Sequence, residues 1–453
     1  MNNLIWFRND LRIQNNITLK KAIDCSSHLE AVYIIPKDTD WYIGEAAQWY
    51  LHKSLISLEK DLLEIGITLN FYREDVAEFF KKKIDHDKIE RIFCTESNNP
   101  IQLKIDQEVN KRLPKNCQLN YVGRDTIISP EQIKTNDGGY YKVYTPFWNK
   151  FEKFVSQEIL ESQQCDIPLK KYFNSVEKNT NVLDLKLLPE KDWYKKFDKY
   201  WQPGERNSLD NVDKFIQSNL FKYKDHRDFM SDDATAKISA AINFGEISTA
   251  ALYQRLTQEL YSAHESCELS IHTFIKQMAW REFAKYTLFH NSDTYFKSAY
   301  SYCDSDVLWN GDDILFELWK ASKTGIPIID SAMQQLREEG WMHNRSRMIV
   351  ASFLTKNLGI HWLKGARWFW DSLVDADLAL NSMGWQWVAG TAPYSAQFSR
   401  IFNPTIQAQK YDKKGAYINK YLPKQNILAT PIVSISDSAH AAKQRYKKII
   451  SIK

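Results

Sequence analysis

The chain has 453 residues, more than one hydrophobic core usually serves, so at least two domains are expected; 43% hydrophobic and 26% charged residues exclude a disordered or fibrous chain. A net charge of +4 excludes a polycation that would hold nucleic acid by bulk electrostatics and leaves that task to a local patch. Six cysteines with no Cys-x-x-Cys pair argue against a zinc ribbon, a redox dithiol or a disulfide framework.

Leu4–Phe7 reads as a strand, followed by the charged loop Arg8-Asn9-Asp10-Leu11-Arg12. Leu29–Ile35 is a second strand, stopped by Pro36. Residues 45–65 carry apolar positions at helical spacing, 67–72 read as a strand and 75–84 as a helix. Then come strand 91–94, helix 101–113 and strand 119–122. This alternation predicts an α/β domain with a doubly wound parallel sheet over 1–130. No Gly-x-Gly-x-x-Gly follows the first strand, so the dinucleotide fingerprint is absent. Over 131–205 the periodicity breaks down. Asn136-Asp137-Gly138-Gly139 signals a turn, Pro146, Pro168, Pro189 and Pro203 punctuate the rest, and a long connector is expected. From 206 to 453 helical spacing dominates, over 246–261, 271–290, 313–340 and 344–357, which predicts a larger all-α domain. The basic stretch Lys443–Lys448 reads as a solvated helix end. No apolar run reaches the ~18 residues of a membrane span, and the N-terminus has no basic-then-apolar leader. A cytoplasmic protein without a membrane partner is expected.

One stretch does not read as ordinary core. Asn344, Arg347 and Met348 are three and four residues apart, so a helix puts an amide, a guanidinium and a thioether on one face. That pattern predicts a polar cavity between helices. The 15 Trp, 23 Tyr and 23 Phe admit two readings, a large aromatic core or a stacking site with an electron path.

Several motifs carry a resemblance. Trp6–Arg12, Trp280-Arg281-Glu282-Phe283, Gly325–Asp330, Met342-His343-Asn344-Arg345, Trp385-Gln386-Trp387 and Arg400–Pro404 resemble the photolyase/cryptochrome flavoproteins. Within them the chain is most similar to bacterial cyclobutane-pyrimidine-dimer photolyases. The resemblance implies a folded FAD in the helical domain. Its diphosphate and ribityl chain would be held by Tyr223, Thr235, Ile238 and Ser239, with Thr235 capping a helix whose free N–H groups face phosphate. Its ring would lie among Gln277, Asn344, Arg347, Asp375, Asp377 and Asn381. Arg347 would supply positive charge and pair with Asp375, and the Asn381 amide would face the ring nitrogen N5. Trp385, Trp362 and Trp309 would pass electrons from the surface. Trp280 and Trp387 would wall a pocket for a flipped-out dimer in UV-damaged DNA, with Gln277, Asn344 and Met348 inside it. Arg281, Arg345 and Arg400 would contact DNA phosphates. A folate or deazaflavin antenna would sit in a cleft of the α/β domain against the helical one, and a monomer is expected.

The implied activity is light-driven repair of cyclobutane pyrimidine dimers, with a cryptochrome-like photoreceptor as the alternative. Two departures bear on that choice. Gln277 stands where the family's dimer photolyases carry Glu, and Glu282 lies on a different helical bearing. The loop 391–398 also differs from the usual segment. A (6-4) photolyase would want pocket histidines where Asn344 and Met348 stand.

Overall fold

The computed structural model describes residues 2–37, 39–115, 117–173, 178–395, 398, 400–422 and 430–452. In chain order the first half runs β1 (Asn2–Phe7), α1 (Ile17–Asp24), β2 (His28–Pro36), α2 (Glu45–Glu64), β3 (Leu69–Glu74), α3 (Val76–Asp87), β4 (Arg91–Glu96), α4 (Pro100–Arg112) and β5 (Leu119–Arg124). The five strands pair in parallel, in the order β3-β2-β1-β4-β5. The order reverses at β1, which makes the sheet doubly wound as expected. Side-chain caps start α1, α3 and α4. Asn16 Oδ1 accepts from Leu19 N, Asp75 from Glu78 N, and Asn99 from Ile101 N ahead of Pro100. Helix α1, which apolar spacing alone did not reveal, is eight residues long.

The remainder is helical: α5 (Tyr144–Phe154), α6 (Gln157–Glu161), α7 (Glu205–Ser218), α8 (Tyr223–His226), α9 (Ser239–Asn243), α10 (Thr249–Ser262), α11 (Glu265–His290), α12 (Asp313–Lys320), α13 (Pro327–Glu339), α14 (Asn344–Ser352), α15 (Trp362–Ser372), α16 (Leu378–Ala389), α17 (Pro404–Tyr411), α18 (Ala416–Tyr421) and α19 (Ile435–Ile452). Helix α5 packs Phe147, Trp148 and Phe151 into the core of the helical half. The single helix expected over 313–340 is two helices. Gly325, at φ +72°, turns the chain, Pro327 opens α13, and Asp330 accepts from Thr324 N, Thr324 Oγ1 and Gly325 N. Among the described residues no helix is long and apolar enough to cross a membrane.

The two halves are tied by buried polar groups. Glu246, fully buried, accepts from Tyr50 OH at 2.9 Å, Ser208 Oγ at 2.6 Å, Gly204 N at 2.7 Å and the Ser54 hydroxyl. Arg12 Nη1 donates to Gly245 O at 2.9 Å, and a Cβ on Gly245 would collide with Asn9 O. These contacts hold α2 and the first loop of the sheet against the helical half.

Candidate functional site

Three helices each leave one side unfilled. Helix α11 buries Phe274, Ile275, Met278 and Ala279 and leaves Gln277 and Trp280 half-buried. Helix α14 leaves Asn344 exposed and Arg345, Arg347 and Met348 half-buried. Helix α16 buries Leu378, Ala379, Ser382 and Met383, while Asn381, Gly384 and Trp387, each three residues on, stay open. A Cβ built on Gly384 meets nothing within 4 Å.

Contacts tie the three helices into a ring. Gln277 on α11 reaches Arg227, and Arg345 on α14 reaches the next residue, Asp228, at 2.7 Å. Arg347 on α14 reaches Asp375, just before α16, and α16 packs back on α11. The less buried sides of the three helices are thus linked through Arg227, Asp228 and Asp375, and the polar recess expected from the spacing of Asn344, Arg347 and Met348 would lie between them.

The polar groups are fixed by their own neighbours. Arg347 Nη2 donates to both Asp375 oxygens, at 2.9 and 3.1 Å, and its Nε donates to Met342 O at 2.8 Å. Ser239 Oγ donates to Asp375 Oδ2 at 2.6 Å, which brings the 233–239 loop to the same carboxylate. Asn381 Nδ2 donates to Ala366 O at 2.9 Å, leaving its carbonyl and one N–H. Asp377 caps α16 by accepting from Leu380 N at 3.0 Å. Burial pushes its carboxyl up, but the Arg281 guanidinium at 3.0 Å, Lys285 and backbone N–H donors more than offset that and hold it below the usual range.

Two expectations are corrected. Arg281 is not at a DNA-facing surface: it is buried and ion-paired with Asp377. It follows Trp280 in sequence, but a helix turns about 100° per residue, so Trp280 faces the recess and Arg281 faces inward. Thr235 does not cap a helix. Helix α9 starts at Ser239, its N-cap is Ile238, and no side chain caps it. Thr235 and Ile238 instead line a cleft with Asn211, Lys214 and Lys237. Tyr223 is buried against Phe215 and Phe274.

Trp280 stacks face to face on Tyr144, with centroids 3.6 Å apart and planes 7° apart, so one face of its indole is covered. Arg400 is exposed and lies over Trp387 at 5.8 Å. Arg345 is held by Asp228 and lies over Tyr411 at 4.2 Å. Asn344 Nδ2 reaches Met348 Sδ at 3.8 Å. Glu282 points away, accepting from Ile127 N at 2.9 Å, and burial raises its carboxyl to about 7. His343 caps α14 through Nδ1 and is buried, which pushes its imidazole down to about 4. It is neutral at ordinary pH. In the loop 391–398, residues 396 and 397 lie outside the described residues, and Thr391 is buried against Gln386.

The three tryptophans include one that reaches solvent. Trp385 and Trp362 are buried and Trp309 is half-buried. Trp385 lies against Gly365, one turn along α15 from Trp362, where a Cβ would strike the indole. His361 lies between the outer two, 4.9 Å from Trp309 and 5.8 Å from Trp362 by ring centroids. Trp362 Nε1 donates to Ser298 Oγ and Trp309 Nε1 to Cys303 O, whereas Trp385 Nε1 is buried without a hydrogen-bond partner among the described residues. Sequence reasoning missed Arg227, Tyr144 and His361. Arg227 had one signal, its place four residues after Tyr223.

Known sequences match this arrangement. The family described as DNA photolyase matches residues 3–165, and the FAD binding domain of DNA photolyase matches 274–452. A relative named deoxyribodipyrimidine photo-lyase, from Agrobacterium fabrum, is 36% identical over 93% of this chain and 87% of its own length. The chain belongs to the photolyase/cryptochrome family. Both branches of the family are represented: cryptochrome-2 of Arabidopsis thaliana is 28% identical over 94% of this chain and 71% of its own length. Among solved structures, a bacterial class III photolyase from Agrobacterium tumefaciens superposes with a TM-score of 0.91 at 32% identity, covering 99% of this chain and 97% of its own.

The recess suits the FAD that this domain type binds. It offers unfilled space at Gly384, an amide at Asn381 with capacity to spare, and a guanidinium at Arg347 whose charge is balanced by Asp375. The buried, unpartnered indole N–H of Trp385 belongs to the same helix.

Proposed function

We propose that the protein repairs cyclobutane pyrimidine dimers in UV-damaged DNA using light. The observation that supports this reading is that Gln277 and Trp280, Asn344 and Met348, and Gly384 and Trp387 all stay partly open on three helices linked through Arg227, Asp228 and Asp375. The pocket between them would have the two half-open indoles as walls and an amide and a thioether as floor. A dimer inside a duplex is out of reach, so it is flipped out and stacked on such walls. Reduced FAD, when bound, would supply a light-excitable one-electron donor, and the opening of the dimer's two carbon–carbon bonds would be redox-neutral overall.

The chain's own residues hold the parts in place. Arg347 and Asp375 would hold the polar edge of the flavin ring, with Asp377 behind α16, and the Asn381 amide would serve N5, able to donate or accept there. Tyr223, Thr235, Ile238 and Ser239 border the diphosphate. Asn344 and Gln277 offer hydrogen bonds to the pyrimidine carbonyls. Arg400 and Arg345 meet phosphates at the mouth, where each contact positions the strand without reading sequence. Trp385, Trp362 and Trp309 carry electrons inward from the surface. The partial exposure of Trp309, at the outer end of that row, supports this reading.

A further cleft lies just beyond the carboxyl ends of β1 and β4. It is lined by Tyr33, Tyr42, Asn98, Gln102, Lys285 and Trp370. Crevices at such a strand-order reversal are the usual ligand sites of doubly wound sheets. This cleft is our candidate for a folate or deazaflavin antenna.

The deciding experiment loads the protein with FAD, reduces it, and illuminates it with an oligonucleotide holding one thymine dimer. Repair predicts loss of dimers in light and none in the dark. Gln277 favours a second reading, a photoreceptor without repair. Flavin reduction under light with dimers left intact selects it. The buried, neutral His343 and the absence of histidine at 344 and 348 speak against a (6-4) photolyase.

A further inference from the structure

Arg227 reaches the position where this chain departs most from its family. Its Nη2 donates to Gln277 Oε1 at 3.2 Å, while Gln277 Nε2 donates to Thr273 O, one turn back on α11, at 3.3 Å. A primary amide has one carbonyl oxygen and two N–H donors. With the oxygen on a guanidinium and one N–H on the helix backbone, the second N–H is what the amide has left for a ligand. Turning the amide over would press its NH2 against a cation. Arg227 is itself held: it lies over the Tyr223 ring at 5.1 Å, and its Nε is 3.9 Å from Asp228, whose carboxylate is engaged by Arg345 at 2.7 Å.

We propose that Arg227 is a positioning residue that fixes Gln277 as a hydrogen-bond donor toward a carbonyl oxygen of the bound dimer. The inference rests on the repair reading above. A pyrimidine carbonyl gains negative charge when the dimer takes up an electron. A donor aimed there binds the electron-bearing dimer more tightly than the neutral one, and that difference favours electron uptake and opposes its return before the ring has opened. A cation on the amide oxygen polarises the amide and strengthens its N–H. No proton changes hands, and the electron still returns to its source, so the step balances as before. Glutamine at 277 is then a working substitute for a carboxylic acid. A glutamate there would be held ionised by Arg227 and would offer the carbonyl only acceptor atoms.

The test is a double-mutant cycle read in two ways: dimers repaired per absorbed photon at saturating DNA, and dark affinity for the same DNA. The proteins are wild type, Arg227→Met, Gln277→Leu and the double variant, each loaded with FAD. Each single variant is expected to lower the yield about fivefold, the size of one net hydrogen bond. The double variant is expected to be no worse than either, and Arg227→Lys, still able to donate to the amide oxygen, keeps most of the yield. Gln277→Glu is expected to repair less than wild type. Additive losses, a Gln277→Glu yield above wild type, or an Arg227→Met protein with full yield and reduced dark affinity overturn the inference alone, because Arg227 would then act on the DNA backbone. A wild-type protein that repairs nothing in light overturns the repair reading, and this inference with it.

Discussion

Arg347 meets Asp375 through a single nitrogen, Nη2, placed 2.9 and 3.1 Å from the two carboxylate oxygens. The Asp375 side chain is 3% exposed and Arg347 26%. Asp375→Asn leaves the guanidinium without its counter-charge and the Ser239 hydroxyl with a weaker acceptor. Because Arg347 keeps partial access to water, the expected loss of stability is about 2 kcal/mol, below the 3–5 of a fully buried pair. Bound FAD is expected to be lost on gel filtration. Thermal melts with and without added FAD check both outcomes.

Arg281 and Arg400 separate a structural arginine from a surface one. Arg281→Ala strands Asp377 in a buried site, and about 3–5 kcal/mol of stability should go with it. Arg400 is exposed over Trp387. Arg400→Ala should leave the melting temperature unchanged, weaken DNA binding, and lower the slope of log affinity against log salt by about one. Binding titrations at several salt concentrations, beside melts, test the pair.

The tryptophan row makes a kinetic prediction. Trp362→Phe should remove most reduction of the flavin under light with an external reductant, while protein reduced chemically beforehand repairs as wild type does. His361→Ala opens a gap between Trp309 and Trp362 and should slow photoreduction less than Trp362→Phe does. If Trp362→Phe is photoreduced at the wild-type rate, electrons enter by another route.

Glu205 links the halves by accepting from Ile13 N at 2.7 Å and Gln14 N at 2.9 Å, and burial raises its carboxyl to about 7. The folded state therefore holds this proton more tightly than the unfolded chain. The resulting stability is full below the ordinary glutamate range, near 4.5, and is lost as pH rises through about 7. Denaturation between pH 5 and 8 should show that decline in wild type and a flatter profile in Glu205→Gln. Equal slopes would contradict it.

The α/β half was legible because its strands are apolar runs and its helices are announced by Asp75 and Asn99-Pro100. Helix α1 was not, since eight residues with Lys20 and Lys21 in their midst give apolar spacing little to show. The break at Gly325–Pro327 was written in the sequence, but the Asp330 clamp that makes it a sharp turn lies in three-dimensional contacts. Asn344, Arg347 and Met348 were readable as one face because helical spacing decides it. Arg281 was misplaced because adjacency in sequence does not mean adjacency on a face. Arg227 and Gln277 are 50 residues apart, and no spacing rule reaches across that distance.

If flavin and lesion meet between Gln277, Asn344 and Gly384, a bulky side chain at 384 must stand in their way. Gly384 lies within a helix and faces open space, so Gly384→Leu should fold at least as stably as the parent, helix propensity favouring leucine by about 0.5–1 kcal/mol. The measurement is FAD uptake and dark binding of a thymine-dimer oligonucleotide by that variant. An undiminished melting temperature with one or both ligands excluded is the expected result. A Gly384→Leu protein that takes up both as the parent does would contradict it.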